Sequence, residues 1–179
     1  MNHDSYSDDY INGILATHKR FAFVGASANI SRPSYFALKY LTSKGFTVVP
    51  VNPTLVGKQI LGQTVYATLA DVPGPIDVID IFRSPDAIPG LVREAIELKS
   101  KLGLHVVWMQ LGARDDSAAA EAEAAGLKVV MNRCPKIEYG RLSGEIGWAG
   151  VNSRTISSTR GKLADKGVQN RILSSRETT

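Results

Sequence analysis

The sequence predicts an α/β fold, a mainly parallel five-stranded sheet wound on both faces by helices. Three observations carry that expectation. Short runs rich in β-branched and aromatic residues recur at 21–24, 46–51, 76–82, 105–109 and 127–131. Most are separated by stretches with apolar residues at helical spacing. The runs are apolar almost throughout rather than alternating, as strands buried on both faces are.

Residues 1–9 read as disordered, and 10–18 as a short helix with Tyr10, Ile11, Ile14 and Leu15 on one face. Phe21–Val24 is the first strand. It breaks at Gly25-Ala26-Ser27, and Pro33 suits the first turn of the next helix, which Gly45 ends. FTVVPV, 46–51, is the second strand, and Pro50 places it near its end or at a sheet edge. Residues 52–75 read as one long connection. IDVIDIF is the third strand. Ser84-Pro85-Asp86 has the chemistry of a helix start, Ile88 to Leu98 continue at helical spacing, and Gly103 closes the helix. HVVWM is the fourth strand. Asp115 or Asp116 caps the alanine-rich helix after it, Gly126 stops that helix, and LKVVM is the fifth strand. Right-handed crossovers then give a doubly wound, Rossmann-like sheet.

At 179 residues, 44% hydrophobic and 21% charged, the chain suits one domain with a sizeable core. No apolar run approaches the roughly 20 residues of a membrane helix, and the acidic N-terminus does not read as a signal peptide. The lone Cys134 fits a reducing compartment such as the cytoplasm. The net charge of +4 belongs to one end. Residues 1–151 hold 15 basic and 15 acidic side chains, whereas 152–179 hold six and two. We therefore expect a domain over 1–150 and a basic, flexible tail over 151–179. Nucleic acid is not the expected partner, since a basic arm alone would have to carry it.

In such sheets ligands bind beyond the C-terminal strand ends. Those ends carry Gly25, Ala26, Ser27 and Arg32; Asn52 and Pro53; Arg83, Ser84 and Pro85; Gln110 and Gly112; and Asn132 to Pro135. Strand, small-residue loop and helix form a phosphate-binding unit, but only the first glycine of G-x-G-x-x-G is present. No acid ends the second strand to take ribose hydroxyls, so NAD is disfavoured. Ser27, Arg32 and Arg83 can meet phosphate. Trp108 and His105 read as structural, and His3 and His18 as incidental. Cys134, if it precedes a helix starting at Pro135, would have its thiol lowered by the helix end; the alternative is a buried small hydrophobe.

The ordered stretches VGAS with Arg32-Pro33, VPVNP, GKQILG, VIDIFRSP, VWMQLG and AAGLKVVMNRCPKIE resemble the small CoA-binding domain family. These are single-domain relatives of the N-terminal domain of the succinyl-CoA synthetase alpha subunit. The likeness covers about residues 10–145. It implies CoA or acyl-CoA over the strand ends, with Gly25, Ala26, Ser27 and Arg32 nearest the phosphates and Asn52 and Pro53 by the nucleotide. Phe82, Arg83, Ser84 and Pro85 would flank adenosine and pantetheine, Gln110 and Gly112 would lie by the pantetheine arm, and Lys58 is a candidate for the 3′-phosphate. The chain departs from the family pattern at Asn132, where an aspartate is expected, at Pro135, where an aliphatic residue is, and near Tyr139, where a histidine is usual. The synthetase's phosphohistidine domain has no counterpart. The expectation is a cytoplasmic CoA-binding protein, acting as a homodimer or with a protein partner, and without ligase chemistry. The alternatives are an acyl-CoA or thiol-redox enzyme using Cys134, and an NAD(P)-dependent oxidoreductase.

Overall fold

A computed structural model describes residues 1–145; the tail expected over 151–179 lies outside them. Its central sheet is parallel throughout, with five strands: β1 (Arg20–Val24), β2 (Thr47–Val51), β5 (Val78–Ile81), β6 (Val106–Met109) and β7 (Lys128–Val130). The spatial order is β2-β1-β5-β6-β7. The chain steps one way from β1 to β2 and the other way from β5 to β7. The switch point therefore falls between β1 and β5, where a crevice opens beyond the strand ends. Pro50 sits on edge strand β2, where a missing N–H is tolerated.

Helices α1 (Asp8–Thr17), α2 (Pro33–Ser43) and α5 (Pro135–Leu142) cover one face, and α3 (Ile88–Leu102) and α4 (Asp116–Ala124) the other. Alternate strand residues divide between two cores, as the period of two requires. Phe21, Phe23, Val78 and Trp108 pack with the first set of helices, and Ala22, Ile79, Ile81 and Met109 with the second. Trp108 is fully buried, with its indole N–H donating to Arg133 O at 2.8 Å. Tyr139 is fully buried and packs edge-on against Phe46 and Tyr40.

Three expectations need correcting. Four of the five strands are shorter than the apolar runs, Phe46 and Ile76 being buried by packing rather than by ladder pairing, and β1 starts one residue earlier, at Arg20. The connection after β2 is not structureless. It holds a hairpin of β3 (Gln59–Ile60) and β4 (Gln63–Thr64), turned by Leu61 and Gly62 at φ 50° and 80°. That geometry is the two-residue hairpin turn, and the strands are too short to show an alternating pattern. Residues 1–9 are also ordered by contacts. Tyr6 Oη accepts from Met131 N–H at 2.7 Å, and Tyr10 Oη donates to Val129 O at 3.1 Å. These tyrosines cover the open edge of β7, which would otherwise present unpaired backbone groups. His3 is buried, with Nδ1 2.9 Å from Tyr6 Oη, so it is part of that cover rather than incidental.

Candidate functional site

The site is built from what the strand ends do with their backbone. After β1 the chain turns at Gly25, at φ 89°. A Cβ there would lie 2.5 Å from Phe82 O and 2.8 Å from Arg83 Cδ. Glycine is therefore required twice, by its left-handed backbone and by the close approach of the β5 exit.

The loop is locked from inside. Gly25 and Ala26 N–H both donate to Val51 O, at 2.9 and 3.3 Å. Ser27 N–H donates to Ser34 Oγ at 3.1 Å, and Ser27 Oγ accepts from Asn29 N–H at 3.2 Å. The amides of Gly25, Ala26 and Ser27 are thus spent on structure and do not form the usual phosphate cradle. The Ala28 and Ile30 N–H groups, further along, have no acceptor among the described residues. Asn52 completes the lock: its side-chain amide donates to Ala26 O at 2.7 Å, and its Oδ1 accepts from Thr54 N–H and Oγ1, both at 2.9 Å.

Three cations surround this frame. Arg32, Lys58 and Arg83 are exposed, and none forms an ion pair with a described residue. A pairing of Arg83 with Asp86 is thus not formed. Phe82 is half-buried on the Phe23 ring, with centroids 4.8 Å apart. Ser84 makes no side-chain cap bond; it precedes a 3-10 turn, Pro85–Ala87, and α3 proper starts at Ile88.

A cavity of about 350 Å³ lies at the switch point. Of the residues singled out from sequence, Gly25, Pro53 and Arg83 line it. Ser27, Arg32, Lys58, Phe82, Gln110, Gly112 and Cys134 do not line it. Sequence reasoning missed its far wall, which comes from α3 and from the loop after the hairpin: Thr68, Leu69, Gly90, Leu91 and Glu94. Burial pushes the Glu94 carboxyl above its ordinary value, and the nearby Leu69 backbone works against that. The i, i+4, i+7 spacing of Ala87, Leu91 and Glu94 was the available signal, since it marks an α3 face distinct from the Ile88, Val92, Ala95 stripe in the core.

The other strand ends form a tighter cluster. Asp80, in β5, is fully buried, and Gln110 Nε2 donates to both of its oxygens at 2.9 Å. Burial raises the Asp80 carboxyl well above the usual carboxylate range, against the Gln110 hydrogen bonds. Gln110 thus turns inward at the rim. Gly112 N–H donates to Asn132 Oδ1 at 2.9 Å, and Asn132 itself sits at φ 51°. That clamp joins the β6 and β7 exits and needs only a side-chain oxygen, which aspartate would also supply.

Cys134 is the N-cap of α5. The helix end does act on its sulfur, through the Ile137 and Lys136 amides, but burial outweighs them and pushes the thiol up. The direction is opposite to that expected from the helix end alone. Cys134 should therefore react with a thiol-alkylating reagent at pH 7–8 more slowly than in the denatured chain, because burial withholds the thiolate. A stopped-flow comparison of native and urea-unfolded protein checks this, and a native rate equal to the unfolded one would contradict it.

A doubly wound parallel sheet with a cavity at its switch point and Arg83 at the cavity wall defines a Rossmann-like α/β domain. The comparisons with known proteins give the family. The model of the CoA binding domain matches residues 19–140, and the chain belongs to that family. The uncharacterized protein YneT of Bacillus subtilis (strain 168) is 32% identical over 129 residues, 72% of this chain and 91% of that protein. A solved hypothetical protein from Pyrococcus horikoshii OT3 is 37% identical, with a TM-score of 0.72 over 80% of this chain and 97% of its own. A Thermus thermophilus structure, cell-free ID.343, is 33% identical, with a TM-score of 0.71 over 76% and 99%. Among the described residues no helix is long and apolar enough to cross a membrane.

Proposed function

We propose that the protein binds CoA or acyl-CoA across the C-terminal strand ends and holds it without ligase chemistry of its own. The observation that carries this is the cavity at the β1–β5 switch point, with Arg83 at its wall and in no ion pair with a described residue. An exposed arginine whose Cδ lies close to Gly25 is placed to meet a phosphate with fork geometry. Arg32 and Lys58 are further cations for a ligand with several phosphates, and the Ala28 and Ile30 amides are donors in reach of the same loop. Membership of the CoA binding domain family supports CoA over other nucleotides. The absence of an acid at the end of β2, where Asn52 is occupied in holding Ala26, speaks against a nicotinamide dinucleotide. The lone cysteine suits a reducing compartment, so the proposal places the protein in the cytoplasm.

Calorimetric titration with CoA, dephospho-CoA, NAD and NADP tests the reading. CoA is expected to bind, with a clear loss for dephospho-CoA if Lys58 or an arginine holds the 3′-phosphate. Arg83→Ala should weaken CoA by roughly tenfold or more, the worth of a charge-assisted hydrogen bond, without lowering thermal stability. Ser27→Ala should weaken it less. Binding of NAD or NADP with silence for CoA would sink the proposal, and unchanged CoA affinity in both variants would sink the site.

A further inference from the structure

The face of α3 that lines the cavity carries two features the fold itself does not need. Gly90 lies inside the helix, where glycine is the poorest former after proline. Its φ is not left-handed, and a Cβ built on it meets nothing within 4 Å. Neither strain nor crowding calls for glycine there, and the space it leaves belongs to the cavity. Glu94 lies one turn later on the same face. It is half-buried at the cavity wall and pairs with no described Lys or Arg. The charged groups bearing on it are the acids Asp71 and Glu97. From Ala87, beside Arg83, to Glu94 the helix rises about 10 Å, a length suited to a nucleoside with its phosphate at Arg83. Leu69 and Leu91 give the space apolar walls.

We infer that this face of α3 seats an amine-bearing purine: Gly90 leaves room for the flat ring, and Glu94 accepts a hydrogen bond from the exocyclic amine. The inference rests on the CoA reading and adds to it the residues that select the base. A carboxylate with no cation beside it favours a ligand hydrogen-bond donor and disfavours a base that offers none.

The test compares adenosine 3′,5′-bisphosphate with its counterpart carrying hydrogen in place of the 6-amino group. Each is titrated into the full-length wild type, Glu94→Ala and Gly90→Leu, alongside CoA. The wild type should prefer the amine by at least about tenfold. Glu94→Ala should compress that preference to within about twofold, which a merely structural loss would not do. Gly90→Leu should weaken both ligands by at least about tenfold while melting no lower than the wild type, because leucine is the better helix former. Should Gly90→Leu fail to fold, Gly90→Ala carries the same test with a smaller loss. Equal weakening of both ligands by Glu94→Ala, or wild-type affinity in the glycine variants, overturns the inference. A wild type that binds CoA without an amine preference overturns it alone; a wild type that binds neither CoA nor the bisphosphate removes the CoA reading and this inference with it.

Discussion

Gly25→Ala is expected to lower stability by about 2–5 kcal/mol and to abolish measurable CoA binding. Two terms add. Placing an L-residue in the left-handed region costs about 1–2 kcal/mol. The new methyl also meets a backbone atom, Phe82 O at 2.5 Å, together with Arg83 Cδ at 2.8 Å. A backbone carbonyl in a parallel sheet cannot rotate away as a side-chain tip can, so the β1 and β5 exits must part, at an overpacking cost of about 1–3 kcal/mol. Both exits line the cavity, and Arg83 moves with one of them. Gly45→Ala separates the terms. Gly45 has φ 84°, but nothing lies within 4 Å of a Cβ there. It should show the strain term alone. Thermal unfolding of the two variants checks this: at about 2–4 °C per kcal/mol, Gly25→Ala should melt several degrees below Gly45→Ala. Equal melting temperatures would mean that the close approach of β1 and β5 has no energetic consequence.

The parts of this molecule legible in the sequence are those with a repeating signal. Five apolar runs separated by helical spacing give the sheet, and Gly45, Gly103 and Gly126, all at positive φ, mark helix ends. Asp115 caps α4 as the alternatives allowed, its Oδ1 accepting Ala118 N–H at 2.8 Å. The hairpin was hidden because two-residue strands have no period to detect. The order of residues 1–9 was hidden because it comes from single long-range bonds, Tyr6 to Met131 and Asp4 to Arg114, which composition does not encode. At the site, the strand-end rule located the near wall at Gly25, Pro53 and Arg83. It could not find Gly90 and Glu94, because it applies to residues just past a strand end and these two lie inside a helix. Nor could the rule tell that the Gly25–Ser27 amides are consumed by Val51 and Ser34, since that depends on how closely α2 and β2 approach the loop. Resemblance covered the near wall and the order of motifs. Geometry supplied the far wall.

Asp80 provides the second large effect, and its sign comes from burial. The carboxyl has no exposed surface, and its donors are the two bonds from Gln110 Nε2, at 2.9 Å each. Burial pushes its pKa well above the ordinary value near 3.8, so the native state holds this proton more tightly than the unfolded chain does. Stability from this group is therefore fully present below the unfolded value and is lost as pH rises towards the native one. Asp80→Asn removes the ionisable group while keeping size and polarity. The variant should match the wild type near pH 4 and exceed it at pH 7–8 by on the order of 1–3 kcal/mol, the cost of burying a charge with incomplete hydrogen bonding. The measurement is the difference between the two thermal unfolding midpoints across that range, which cancels the other titrating groups, among them His18, whose pKa burial and His105 lower. A variant less stable than the wild type at neutral pH, and level with it in acid, would show instead that Gln110 holds Asp80 ionised.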